Sequence, residues 1–301
     1  MTAFDAVSLG IVLSVVAAVC LALTSLTIRL GTNNGRSSDA LVVVLLVNIV
    51  TFVPLALWIA HPGYSISLWA LFAFIAAGIV GTLLARILYY ASIERIGASR
   101  SEPIKASQPL HATVIAVVLL EETVSIPHLL GILLIICGVA IISIEMMNAS
   151  VDPITDPSWS TLAFPFAAAF FFGLEPIFAS IGFETGASVF VGLALKTMSA
   201  AVGFFAYLGW KGALSVEPFR ASASRRWYLA AGGANTLFLF SYYTALEIAP
   251  VSVVVPILQT SPIFVVLMSA AFLQRYERVT SRLIGMTLIV VSGSVLVTLF
   301  S

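Results

Sequence analysis

Ten apolar runs of roughly 20 residues follow one another with short polar breaks, at 7–30, 40–60, 68–93, 102–120, 128–147, 159–182, 188–210, 226–247, 251–273 and 282–300. A helix of about 20 apolar residues matches the hydrocarbon thickness of a bilayer. Helix is also one of only two backbone arrangements that satisfy every N–H and C=O in lipid. The pattern predicts an all-α polytopic membrane protein with ten transmembrane helices. Composition agrees: 60% of the 301 residues are hydrophobic and 9% charged, where soluble domains carry about 25% charged residues. Formal net charge is zero, which leaves no basic surface for nucleic acid. The opening MTAFD has no Lys or Arg, so the first run is expected to be a retained helix and not a signal peptide. Cys20 and Cys137 lie mid-run and are expected to act as small buried hydrophobes, with a disulfide the lesser alternative.

A phrase is written twice. Residues 89–109 read YYASIERIGASRSEPIKASQP and residues 242–262 read YYTALEIAPVSVVVPILQTSP. At an offset of 153, Tyr89, Tyr90, Glu94, Ser99, Pro103, Ile104 and Pro109 fall on Tyr242, Tyr243, Glu247, Ser252, Pro256, Ile257 and Pro262. Each copy spans the end of the third run and much of the fourth in its half. The expected organisation is a five-helix repeat at 7–147, a linker at 148–158 and a second five-helix repeat at 159–300. Five is odd, so the second repeat would enter the membrane from the opposite side. Inverted repeats of this kind mark secondary transporters, whose binding site lies where the halves meet.

With ten spans, the side holding both termini has no Lys or Arg. The other side has Arg29, Arg36, Arg95, Arg100, Lys105, Lys211, Arg220, Arg225, Arg226, Arg275, Arg278 and Arg282. The positive-inside rule places those twelve in the cytoplasm and the termini outside. On this reading the first phrase is charged because its loop faces the cytoplasm.

The "YYxxxxE…S…P…P" passage in each half, with a glycine-opened fifth helix (GILLIICG at 131–138, GMTLIVVSG at 285–293), resembles the EamA-type transporters of the drug/metabolite transporter superfamily. The resemblance covers about 7–147 and 159–300. It implies carriage of amino acids, nucleotide precursors, drugs or other small metabolites, often coupled to protons. Ten-helix members commonly keep their termini in the cytoplasm; the charge pattern here predicts the reverse.

Several residues are candidates for the substrate or proton path. Glu175 and Lys196 each lie eight residues from the turn joining the sixth and seventh runs (Phe183 and Ser188). At about 1.5 Å per residue they sit at one depth. Intramembrane charges are functional candidates by default; a purely structural pair competes with a role in substrate or proton binding. Pro176 directly follows Glu175 and is expected to bend its helix. Pro109 and Pro262 are expected to kink the fourth and ninth helices, whereas Pro103 and Pro256 fit the first helical turn. Gln108 and Gln259 beside those kinks are expected to line the cavity. Tyr90 and Tyr243 divide between cavity lining and core packing. His111 fits a satisfied core histidine or a proton carrier. Arg29 and Arg86 are expected to snorkel to the interface unless they serve the path. Asn48 and Asn235 fit interhelical hydrogen bonding. The five tryptophans fall near helix ends, as interface anchors do.

There is no GxxxxGK[ST] loop and thus no sign of ATP hydrolysis. No metal-ligand cluster or cofactor motif occurs, and the four aspartates (Asp5, Asp39, Asp152, Asp156) all fall in loops or tails. The expectation is a non-enzymatic secondary transporter of small amphipathic solutes. A channel-like facilitator, and then a membrane enzyme or scramblase, are the alternatives.

Overall fold

The computed structural model describes residues 3–61, 66–111, 125–148, 159–212, 222–248, 254 and 257–300. Most of the linker, the later part of the fourth run and the start of the ninth, Pro256 included, lie outside them. The described residues fold as helices with no strand: α1 (Ala3–Thr32), α2 (Ser37–Ala60), α3 (Leu68–Ala77), a π-helix (Gly78–Ala85), α4 (Arg86–Ile96), α5 (Ala98–Lys105), α6 (Ile126–Asn148), α7 (Trp159–Glu184), α8 (Val189–Trp210), α9 (Ser222–Ile248), α10 (Ser261–Phe272) and α11 (Ser281–Leu299). Each of the ten expected runs contains helix. Six stretches are long and apolar enough to cross a bilayer: Ser8–Thr32, Ser37–Ile59, Leu68–Ile96, Ser160–Ala179, Val189–Trp210 and Ser281–Leu299. Ile126–Ile142 and Ser261–Phe272 are shorter apolar helices.

Each helix of the first half packs on one of the second: α1 on α9, α2 on α8, the α3–α4 rod on α7, α5 on α10 and α6 on α11. The interface between the halves is therefore the core of the molecule. Its main apolar cluster joins Ile28, Leu41 and Tyr90 from the first half to Phe204, Tyr228 and Val265 from the second. Outward faces carry apolar side chains such as Val50, Leu133, Val202 and Leu267, as lipid requires. Trp58, Trp69 and Trp210 near helix ends are exposed, in keeping with interface anchoring. Cys20 is buried, but Cys137 faces outward on α6. The 3.6-residue period turns it away from Gly138, which takes the packed face.

The glycine-opened helices do form a close seam. A Cβ on Gly131 would lie 2.8 Å from the Gly293 carbonyl, and one on Gly293 would lie 2.6 Å from the Gly131 carbonyl. Small residues are the usual means of close approach between membrane helices. A Cβ on Gly138 would lie 2.5 Å from Val290 and 3.2 Å from the Met286 carbonyl, so the seam runs along α11 from Met286 to Val297, while Gly285 itself has open space around it.

The cation-bearing ends gather on one face. The Tyr228 hydroxyl donates to the carbonyls of Gly31 and Arg36, at 3.2 and 3.1 Å. Ser37 N donates to Glu94 at 3.1 Å, and the Arg95 guanidinium covers the Phe164 ring. On the opposite face His128 meets the Phe300 carbonyl at 3.3 Å.

Candidate functional site

The doubled phrase becomes a doubled break. The helical path stops at Ala106–Ser107 and at Gln259–Thr260, 153 residues apart. The local hydrogen bonds repeat in the same register. Ser107 N donates to Ile104 O and Thr260 N to Ile257 O, both at 3.1 Å; Leu110 N donates to Ser107 O and Ile263 N to Thr260 O, both at 3.0 Å. The side chains copy the pattern, with Ser107 Oγ on Ile104 O and Thr260 Oγ1 on Ile257 O. These i→i−3 bonds tighten the chain into a turn. The hydroxyls occupy carbonyls that a continuous helix would have bonded.

Each break lies two to three residues before a proline, whose missing N–H leaves the helix unbridged there. Pro262 sits in the first turn of α10, where a missing N–H costs nothing. Pro109 holds the matching place. Pro103, expected at a helix start, instead lies inside α5, because that helix begins earlier than its polar sequence suggests. The backbone of α7 remains helical through Pro176. At the crossing of the two broken paths Gln108 Nε2 donates to Gln259 Oε1 across the interface at 3.2 Å. The Gln259 Nε2 and His111 Nε2 atoms are buried without a hydrogen-bond partner. The His111 ring meets Phe170 edge-on.

The largest departure from the sequence reading concerns residues 97–105. They are not a solvated loop. Gly97, at φ 86°, turns the chain back, and all eight residues of α5 are buried. Positive φ suits glycine, and a Cβ there would also lie 2.6 Å from Glu277 Oε1. The Glu277 carboxylate accepts from Ala98 N at 2.6 Å and Ser99 N at 3.0 Å, capping α5 where the helix dipole favours an anion. Its other partner is Arg29, at 3.2 Å. Arg29 therefore does not snorkel: it is buried and also donates to the Glu94 carbonyl at 3.0 Å.

At the inner end of α5, Glu102 is wholly enclosed. It pairs with Lys105 one turn on. It also accepts from Tyr89, from Ser25 of α1 at 3.2 Å and from Ser261 of α10 at 3.1 Å. The Lys105 ammonium stands over the Tyr89 ring, 4.7 Å from its centroid. Sequence reasoning missed this cluster. The one available signal was the second phrase, which keeps the same pattern without Lys or Arg and reads as helix.

Glu175 and Lys196 meet as an ion pair between α7 and α8, and Lys196 also donates to the Tyr243 hydroxyl at 3.1 Å. The π-helix makes room for them. A Cβ on Gly81 would collide with the Glu175 carboxylate, and one on Gly78 with the Lys196 carbonyl. π-helical turns are rare and concentrate at functional sites.

Arg86 begins α4 just beyond the π-helix and is buried, not snorkelling. It donates to Asn235 Oδ1 at 2.7 Å. The same oxygen accepts from Asn48 Nδ2 at 2.9 Å, and Thr236 donates to Asn48 Oδ1 at 2.7 Å. Asn48 and Asn235 thus make the interhelical bond between α2 and α9. Tyr90 lies beside Arg86, and its hydroxyl makes no well-aligned hydrogen bond. Among the described residues no group of three or more His, Cys, Asp or Glu side chains is placed to hold a metal.

Two apolar helical halves joined through a buried interface that is largely apolar and carries a few paired polar groups define a multi-pass membrane protein of two repeats. The sequence matches the EamA-like transporter family over residues 8–144 and 159–299, and the chain belongs to that family; it is a membrane transporter. No curated protein matches it. One solved structure, described only as the crystal structure of a protein, aligns with a TM-score of 0.63 at 14% identity, covering 99% of each chain. That likeness speaks for the fold alone.

Proposed function

We propose that the protein is a secondary active transporter of small amphipathic metabolites, amino acids among them, working by alternating access around a site between its two repeats. The observation that carries this reading is the pair of matched breaks, whose glutamines touch across the interface. Broken helices expose backbone groups that a solute uses in place of water, and an interface between repeats is free to rock. On this reading the ten runs are ten spans in two inverted repeats at 7–147 and 159–300. Protons are the coupling ion and ATP is not used. Gln108, Gln259, His111, Tyr90, Tyr243, Glu175, Lys196 and Arg86 face the path in at least one conformation, and Asn48 and Asn235 set its wall.

Arg29, Arg100 and Lys105 are buried, so the twelve cations reduce by three to nine, against none on the other side. The charged face is then cytoplasmic, in a cell membrane, with both termini outside. A C-terminal reporter at Ser301 active in the cytoplasm would reverse the orientation.

The transport test is counterflow in proteoliposomes. Saturable, trans-stimulated uptake of a labelled metabolite that responds to a pH gradient supports the proposal. Uptake without saturation marks a channel, and dependence on ATP removes the secondary mechanism.

A further inference from the structure

We infer that Arg86 holds the negative charge of the transported solute, so that the substrates are small organic monocarboxylates, zwitterionic amino acids included. This deepens the proposed function and rests on it. The central polar groups form two closed pairs, Glu102 with Lys105 and Glu175 with Lys196. Arg86 stands between them: Tyr90 lies within electrostatic reach of both Arg86 and Lys105, and Tyr243 of both Arg86 and Glu175. Among the described residues of this centre, two acids and three cations leave one positive charge in excess. Among the described residues Arg86 has no acidic partner at ion-pair distance, and its hydrogen bond goes to Asn235.

An amide oxygen orients a guanidinium but does not cancel its charge. Thr236 holds Asn48 and Asn48 holds Asn235, so the guanidinium is fixed, and its partners Asn235 and Tyr90 are both uncharged. A buried cation in a membrane interior calls for an anion or a cavity, and a guanidinium keeps its charge where an ammonium sheds it. Its planar fork matches a carboxylate with two parallel bonds. The Tyr90 hydroxyl beside the guanidinium has its own proton unspent and supplies a third donor. One excess charge suits a monoanion; a dianion would bring a second charge with no partner. The tyrosine rings beside it suit an apolar tail.

The test uses the full-length protein purified in detergent in chloride-free buffer. The probes are monocarboxylates of two to ten carbons, leucine and 4-methylpentanoate among them, each paired with its amide; thermal shift and calorimetry are the readouts. The expected result is that acids stabilise and their amides do not. Arg86→Gln should abolish the difference, and Arg86→Lys, which keeps the charge and loses the fork, should weaken acid binding by roughly tenfold. Should Arg86→Gln fail to fold, Arg86→Lys decides, and unchanged acid binding overturns the inference. Equal binding of acids and amides, or no binding by any acid, overturns it too. Stabilisation by chloride that no carboxylate displaces reduces Arg86 to the seat of a fixed counter-ion and also overturns it. Acid binding without flux in proteoliposomes would leave this inference standing and remove the transporter mechanism. Flux of uncharged solutes that Arg86→Gln leaves intact would do the opposite.

Discussion

The two buried Glu–Lys pairs are built from the same parts and housed differently. Each sets an ammonium beside a tyrosine from the doubled phrase: Lys105 over Tyr89, Lys196 bonded to Tyr243. Glu102 and Lys105 sit one turn apart on a single short helix, with side chains 0% and 9% exposed, and three hydroxyls from both halves close the shell. Glu175 and Lys196 come from two helices of one half, with Glu175 15% exposed. The first pair is sealed and the second has an open edge. A sealed pair is costly to break, and an open one is able to exchange a partner for water or solute.

That contrast is most sharply broken by single substitutions. Glu102→Gln strands Lys105 in an enclosed site, where losing one partner of a buried pair costs about 3–5 kcal/mol. A large fall in the melting temperature of purified protein is the expected outcome. Glu175→Gln should cost less, about 1–3 kcal/mol, because its carboxylate is partly exposed and not sealed by hydroxyls. Adding Lys196→Met should recover part of that loss, and the double-mutant cycle measures the coupling. Recovery of fold without flux makes the pair functional; recovery of both makes it structural. If Glu175→Gln proves the more damaging single change, the sealed-and-open distinction is wrong.

Smaller effects sharpen the open pair. Gly81→Ala pushes a methyl into the Glu175 carboxylate and should cost about 1–3 kcal/mol as overpacking. Gly285→Ala, with open space around it, should stay within about 0.5 kcal/mol. Equal melting temperatures for the two would mean that the π-helix does not brace the ion pair. Smallest in stability, Gln108→Leu and Gln259→Leu should each stay within about 1 kcal/mol while lowering flux more than expression. Wild-type flux from both would move the crossing out of the path.

The same two pairs show what was readable in the chain. Glu175 and Lys196 stand out because their helices are otherwise apolar, and counting residues from a shared turn placed them at one depth. Glu102 and Lys105 were hidden among Arg95, Arg100 and three serines. Composition does not distinguish a segment solvated by water from one solvated by protein. The breaks were half legible: the repeat and its prolines marked their register, but no local pattern showed the hydroxyl-capped turns that precede those prolines. The π-helix left only its two glycines as a trace. Which helix faces which depends on packing across the halves, and no local pattern encodes it.

Helix α5 also constrains how the protein is made. A segment reading ASRSEPIK has no face fit for lipid, since each charged residue at mid-helix opposes insertion by about 2.5–3.5 kcal/mol. Its shelter comes partly from α1, already synthesised, but Ser261 and Glu277 emerge from the ribosome more than 150 residues later. Until then the segment has to wait at the membrane surface or be held by the insertion machinery. The first repeat alone is then an orphan polypeptide. Residues 1–147 produced by themselves should be degraded, and co-production of residues 148–301 should rescue them; stable accumulation of the lone half would show that α5 finds its shelter without the second.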